Sequence, residues 1–115
     1  MAKKHLIRDL SVETANLMLT YLESKQIEKN RKQQLSRSVT SIGANVSEST
    51  YAASKKDFIH KLRIALKETN ESIFWFNLIV SPPLNDDEKK ISQNLKSLRL
   101  LLYKSINTAS GNLKD

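Results

Sequence analysis

Cysteine is absent from this 115-residue sequence, and glycine and proline occur only twice each. Without cysteine there is no disulfide framework, no thiolate metal site and no cysteine nucleophile. The two prolines are adjacent, Pro82 and Pro83, and the two glycines, Gly43 and Gly111, are isolated. A sandwich or barrel needs a turn signal every ten residues or so, and a phosphate-cradling loop needs clustered glycine; neither pattern is present. Long apolar runs are missing too. The longest, Ile73 to Val80, is eight residues with Asn77 inside it, far short of a membrane span. The basic start, Met1 to His5, runs at once into Leu6, Ile7, Arg8 and Asp9, without the apolar stretch of a signal peptide. The expected compartment is the cytoplasm. Acidic residues are scarce, 12 against 19 Lys plus Arg, for a net charge of +7. Hydrophobic residues nevertheless make up 39%, enough to build a core. This length supports one core, so residues 1–115 read as a single domain.

What is present is helical periodicity, in four segments. The first is expected from Ser11, as N-cap, to Ser24. Leu10, Thr14, Leu17 and Tyr21 form its stripe, widened by Ala15, Met18, Leu19 and Leu22. The second is expected from Arg31 to Ala53, with Leu35, Val39, Ile42 and Val46 at helical spacing. Its middle is small: Ser38, Ser41, Gly43, Ala44 and Ser47. Gly43 costs such a helix about 1 kcal/mol relative to Ala. Two explanations stand side by side, close approach of a neighbouring backbone or a tolerated slight bend. The third segment opens on Ser54-Lys55-Lys56-Asp57, a hydroxyl N-cap with an acid three residues on. Phe58, Leu62, Ala65, Thr69, Ser72 and Phe76 form its stripe, and Ser81-Pro82-Pro83 ends it. The fourth follows Asn85, with Asp86, Asp87 and Glu88 at the favourable end of the helix dipole. Ile91, Leu95, Leu98, Leu102 and Ile106 recur cleanly, and Gly111 is the expected stop. Four amphipathic helices with short connections predict an all-α, antiparallel up-down-up-down four-helix bundle.

Two features exceed what a lone bundle needs. The run Ile73 to Val80 is apolar nearly all round, whereas each helix of a small monomer keeps a wet face. Phe74, Trp75 and Ile79 are therefore candidate oligomer-interface residues. The competing placement packs them under the Pro82-Pro83 connection or the first helix. The second feature is charge. From Lys29 to Lys67 nine basic residues face only Glu48 and Asp57, and the remainder of the chain sums to zero. Arg31, Lys32, Arg37, Lys55, Lys56, Lys61, Arg63 and Lys67 are the candidate phosphate contacts of a nucleic-acid partner. The bland alternative is a solvated basic face, with some cations bridging to Glu48, Glu68 or Glu71 between subunits. An acidic protein is the competing partner.

Catalytic patterns are weak. Asp57 and His60 form one acid-x-x-His pair, where a di-metal bundle needs two such pairs and two further acids. Glu68 and Glu71 sit three apart beside Lys67, as ordinary surface acids often do, and no nucleophile-elbow context surrounds any serine. No cofactor, no metal site and no enzymatic activity are expected.

Three blocks, in order, resemble a known family. Ser41-Ile42-Gly43-Ala44-Asn45-Val46-Ser47-Glu48 is similar to the Ser-Ile-Pro-Ala-Asn-Ile-Ala-Glu signature of bundle proteins encoded by intervening sequences in bacterial 23S ribosomal RNA genes. Phe58 to Leu66 resembles that family's second block, with its Leu-Arg-Ile-Ala core and later acid, here Glu68 or Glu71. Ile7-Arg8-Asp9-Leu10 resembles the opening block, with Ile7 in place of an aromatic, and Gly43 stands where the family has Pro. The resemblance implies a four-helix bundle, often a ring-like homopentamer. A related group serves diversity-generating retroelements, where a basic pentamer binds a reverse transcriptase and its RNA. The resemblance thus implies a homo-oligomer, RNA or DNA, and a protein such as a reverse transcriptase as partners. Fold-level likeness alone does not fix function. A sequence-nonspecific RNA- or DNA-binding or ribonucleoprotein accessory module is the first expectation, and a protein-interaction scaffold without nucleic acid is the second.

Overall fold

A computed structural model describes residues 2–83 and 85–114, with side chains placed for 6–83 and 85–111. Four helices follow one another: α1 (Ala2–Glu23), α2 (Lys29–Ser49), α3 (Lys55–Ile79) and α4 (Asp86–Lys114). Each packs on the next and α4 closes on α1; among the described residues the diagonal helices are not backbone neighbours, but side chains such as Tyr21 of α1 and Phe76 of α3 meet across the core. Four helices at the corners of a square is the result, with the core along the axis. The body measures 49 × 23 × 20 Å. Its long dimension is set by α4, whose 29 residues rise about 43 Å.

Side-chain pairs fix the relative directions. On α2 and α3, Glu48 meets Lys61 whereas the earlier Ser38 meets the later Ser72. On α1 and α4, Tyr21 meets Glu88 whereas the earlier Glu13 meets the later Asn94. Partners that move oppositely along the chain make both pairs antiparallel. The connections 24–28 and 50–54 are too short for any crossover, so the topology is up-down-up-down.

The start signals of α3 and α4 work as their chemistry requires. Ser54 Oγ accepts from the Asp57 N–H at 3.1 Å, and the Asp57 carboxylate accepts from Ala53 N–H at 3.2 Å. Asn85 Oδ1 accepts from Glu88 N–H at 2.8 Å, and Glu88 Oε1 accepts from Asn85 N–H at 3.2 Å. These are reciprocal caps that satisfy donors a helix start leaves orphaned.

Three expectations about helix ends need correction. Helix α1 begins at Ala2, not Ser11. Ser11 is buried mid-helix, and its hydroxyl donates to the Arg8 carbonyl at 2.7 Å, the back-bond open to any helical serine. Helix α2 starts two residues early, capped by the Glu28 side chain, and ends at Ser49 rather than Ala53. Gly111 does not stop α4, which continues to Lys114; the described glycines have no positive φ, so nothing there requires glycine.

Inside, Met18, Leu35, Val39, Ile42, Leu62, Phe76, Leu95, Leu98 and Leu102 are buried. Among them lies a layer of buried hydroxyls, Thr14, Ser38, Thr69 and Ser72. Thr14 and Thr69 donate to carbonyls one turn back, and Ser38 and Ser72 share a 2.8 Å bond between helices. No buried side-chain nitrogen or oxygen among the described residues lacks a partner, so the layer carries no desolvation penalty of the unpaired kind. Small residues also let helices approach closely. A Cβ on Gly43 would stand 3.0 Å from Ser11 Oγ on α1 and 3.6 Å from Ser11 Cβ. That favours close approach over a tolerated bend. Gly43→Ala should therefore forgo the stabilisation of about 1 kcal/mol that helix propensity alone predicts. In a Ser11→Ala background, where the nearest described neighbour becomes a methyl at ordinary contact distance, Gly43→Ala should recover it. Urea melts of the four proteins measure this coupling, and additive effects would refute the close-approach reading.

Candidate nucleic-acid interface

The eight predicted cations divide by what they touch. Arg37 and Lys61 belong to ion pairs between α2 and α3. The Arg37 guanidinium donates to Glu68, 3.3 Å away, and to Glu71. Lys61 Nζ donates to Glu48 Oε1 at 3.0 Å. The hydrogen bond to Glu71, with the charges of Glu68 and Glu71, holds Arg37 protonated above its ordinary range. The bond to Glu48 raises Lys61 in the same way. The acids named as possible intersubunit partners are therefore met within one chain. The Glu68 side chain is only 11% exposed, so Arg37 balances a carboxylate largely removed from water.

Of the other six cations, all but Lys32 are exposed. Lys55 and Lys56 are exposed at the start of α3. Arg63 and Lys67 follow on its outer face, Arg63 reaching Ser110 of α4 at 3.4 Å. Arg31 and Lys32 lie in the first turn of α2, Arg31 exposed and Lys32 half-buried. None of these six forms an ion pair among the described residues. Lys56, Arg63 and Lys67 recur at seven and four residues, which places them on one stripe of α3.

The structure adds cations that charge counting over a window missed. After Glu88, α4 carries Lys89, Lys90, Lys96, Arg99 and Lys104 without an acid up to its last described residue. In the sum outside Lys29–Lys67 these are cancelled by acids elsewhere, including Asp86, Asp87 and Glu88 in the first turn of the same helix. Counting charge helix by helix, with the first turn apart, finds them. Lys96 and Arg99 line an open groove between α3 and α4, together with Leu66, Asn70, Leu100 and Tyr103. That groove brings Lys96 and Arg99 of α4 beside Leu66 and Asn70 of α3.

The candidate interface residues lie at the far end of α3. Phe74 is 57% exposed, and Leu78, one turn on, is 48% exposed. Trp75 and Ile79 are half-buried and pack on the core. The Trp75 indole meets the Phe74 ring edge-on, centroids 5.3 Å apart, and its N–H points to Glu71 at 3.4 Å. So Phe74 offers an open apolar surface, while Trp75 and Ile79 serve the chain's own packing.

His60 is exposed, and Asp57 is occupied in capping α3. No three His, Asp or Glu among the described residues are placed to hold a metal ion. Among those residues no helix is long and apolar enough to cross a membrane.

Comparison with known proteins agrees with the blocks read from the sequence. A solved structure from Bacteroides thetaiotaomicron VPI-5482, of a protein of unknown function from the S23 ribosomal protein family, is 34% identical. It covers 91% of this chain and 98% of its own, with a TM-score of 0.79. A search of curated proteins gives no match. The model of the 23S rRNA-intervening sequence protein family matches residues 5–104. The chain belongs to the 23S rRNA-intervening sequence protein family.

Proposed function

We propose that this protein is a non-enzymatic, homo-oligomeric bundle that binds RNA or DNA through phosphate contacts without reading sequence, as an accessory module of a ribonucleoprotein. The observation that carries the proposal is the row of exposed cations without ion-pair partners among the described residues, Lys55, Lys56, Arg63 and Lys67 on α3 with Lys96 and Arg99 on α4. A merely solvated helix face usually interleaves both signs, as the Lys61–Glu48 pair does nearby. A polyanion is the partner whose chemistry matches such a row, and its binding is salt-sensitive because counterions are released. Arg37 and Lys61 act in this reading as struts between α2 and α3. Assembly uses the exposed Phe74 and its neighbours Trp75, Leu78 and Ile79, which would leave water when subunits meet.

The test is multi-angle light scattering of the protein alone and with a short RNA at low and moderate salt. An oligomer that takes up RNA and releases it as salt rises is expected. An oligomer indifferent to RNA at low salt would leave the scaffold reading in its place. Assembly has its own variant. Phe74→Ser with Leu78→Ser should lower the mass to that of the monomer while the helical signal persists, because both side chains face solvent. An unchanged mass removes this face from the interface.

A further inference from the structure

The groove between α3 and α4 differs from the rest of the basic surface because its floor is apolar and aromatic. Leu66 and Asn70 line it from α3, and Lys96, Arg99, Leu100 and Tyr103 from α4. Its volume is about 500 Å³, open along one side. Tyr103 is 56% exposed and Leu100 52%, and neither the Tyr103 hydroxyl nor the Asn70 amide makes a side-chain hydrogen bond among the described residues. Lys96 and Arg99 lack ion-pair partners there as well, and Lys67 lies one residue beyond Leu66.

A groove that only tracked phosphates would need the cations and nothing else. An exposed tyrosine ring beside a leucine, rimmed by two cations and an amide with Lys67 next in sequence to Leu66, suits a ligand that is anionic along its length and has planar apolar faces. We propose that this groove is a single-stranded nucleic-acid site, in which a base stacks on Tyr103, Asn70 meets a base edge, and Lys96, Arg99 and Lys67 hold the flanking phosphates. It rests on the polyanion reading above and narrows it from any nucleic acid to unpaired strands. In a duplex the base faces are already stacked and cannot reach the ring.

Two other occupants fit less well. A second copy meeting this groove by the same face would set Lys96, Arg99 and Lys67 against their own images with no acid between them. An acidic amphipathic helix needs apolar anchors over two turns or more, about 11 Å. Here Leu100 and Tyr103 are three residues apart on α4, less than one turn, and α3 adds Leu66 alone.

The experiment is fluorescence anisotropy of the full chain at low salt with three labelled 20-mers: a single strand, the matching duplex, and a strand of abasic sites with the same phosphates. The intact single strand should bind at least tenfold tighter than the other two, the fold-change expected from base–aromatic stacking. Tyr103→Ala should remove that advantage, Tyr103→Phe should keep it, and Tyr51→Ala, which removes another exposed tyrosine outside the groove, should leave it intact. Lys96→Gln with Arg99→Gln should weaken the single strand and flatten its log–log salt slope by about 1.4, at roughly 0.7 per phosphate contact. Equal binding of all three probes, unchanged by Tyr103→Ala, would overturn the stacking site and leave the polyanion reading standing. No binding of any probe would overturn both. Tighter binding of an acidic amphipathic peptide, displacing the strand, would assign the groove to a protein instead.

Discussion

Lys56→Glu combined with Lys67→Glu should weaken binding of a short RNA about 100-fold at low salt while leaving the thermal midpoint nearly unchanged. The first half follows from electrostatics. Each reversal removes an attraction to phosphate and adds a repulsion, each on the order of 1 kcal/mol near a wet surface. Two positions give about 4 kcal/mol at most, and salt screening brings that nearer to the 2.7 kcal/mol of a 100-fold change. The second half follows from placement. Both side chains are exposed on the outer stripe of α3 and are without ion pairs among the described residues, so reversal strands no buried charge. Arg37→Glu is the instructive contrast. It would set three carboxylates together, with Glu68 nearly buried, and should destabilise the bundle before it says anything about binding. Filter binding across a salt series, with thermal melts of the same samples, reads both halves. Full affinity retained in the double reversal would remove α3 from any phosphate contact and leave an interaction scaffold as the better description.

Which cations are available for a ligand was only partly legible in the sequence. The excess between Lys29 and Lys67 is visible at once, because charge is a local count. That Arg37 is held by Glu68 and Glu71 is not, because those partners lie a helix and a turn away and meet only when α2 and α3 pack antiparallel. The same packing joins Lys96 and Arg99 of α4 to the α3 face, although the sum over the chain shows no excess there. The exposed end of α3 was legible for a different reason. Eight nearly uninterrupted apolar residues exceed the stripe one bundle position can bury, so some had to remain outside, and Phe74 and Leu78 did.

Helix boundaries show the same division. Ser54 and Asn85 signal correctly because a cap is local chemistry followed by a polar first turn. Ser11 carries the same hydroxyl but follows Ile7 and Leu10, which already sit on the core face, Ile7 fully buried and Leu10 partly. Packing of those residues extends α1 back to Ala2, and the hydroxyl turns to the Arg8 carbonyl instead. Gly111 misleads in the opposite sense. Its propensity cost of about 1 kcal/mol is small beside the burial of Ile106 and Ala109 just before it. Gly43 could not be decided from sequence at all, since its meaning depends on Ser11, thirty-two positions away and on another helix.

The Tyr21–Glu88 pair gives the fold a distinctive alkaline behaviour. Tyr21 is 7% exposed near the end of α1, its ring packs edge-on against Phe76 at 6.0 Å, and its hydroxyl donates to Glu88 Oε2 at 2.7 Å. Burial, then the hydrogen bond to Glu88 and that carboxylate's charge, raise the phenol well above its ordinary 10.0. The unfolded chain releases this proton near pH 10, whereas the folded chain keeps it. The stabilisation is therefore fully present below pH 10 and is lost as pH climbs towards the raised value, by up to about 1.4 kcal/mol per pH unit. Tyr21→Phe removes the titrating group. At pH 7 it should cost about 1–3 kcal/mol, because Glu88 loses a donor while remaining buried. Above pH 10 the gap between the two proteins should close. The raised Lys61 and Arg37 lose stability in the same direction on the alkaline side, but they are common to both proteins and cancel in the difference. Urea melts at pH 7, 9, 10.5 and 11.5 measure the gap. A gap that stays constant through pH 11.5 would mean that the phenol ionises alike in both states, and that the bond across the α1–α4 seam contributes packing alone.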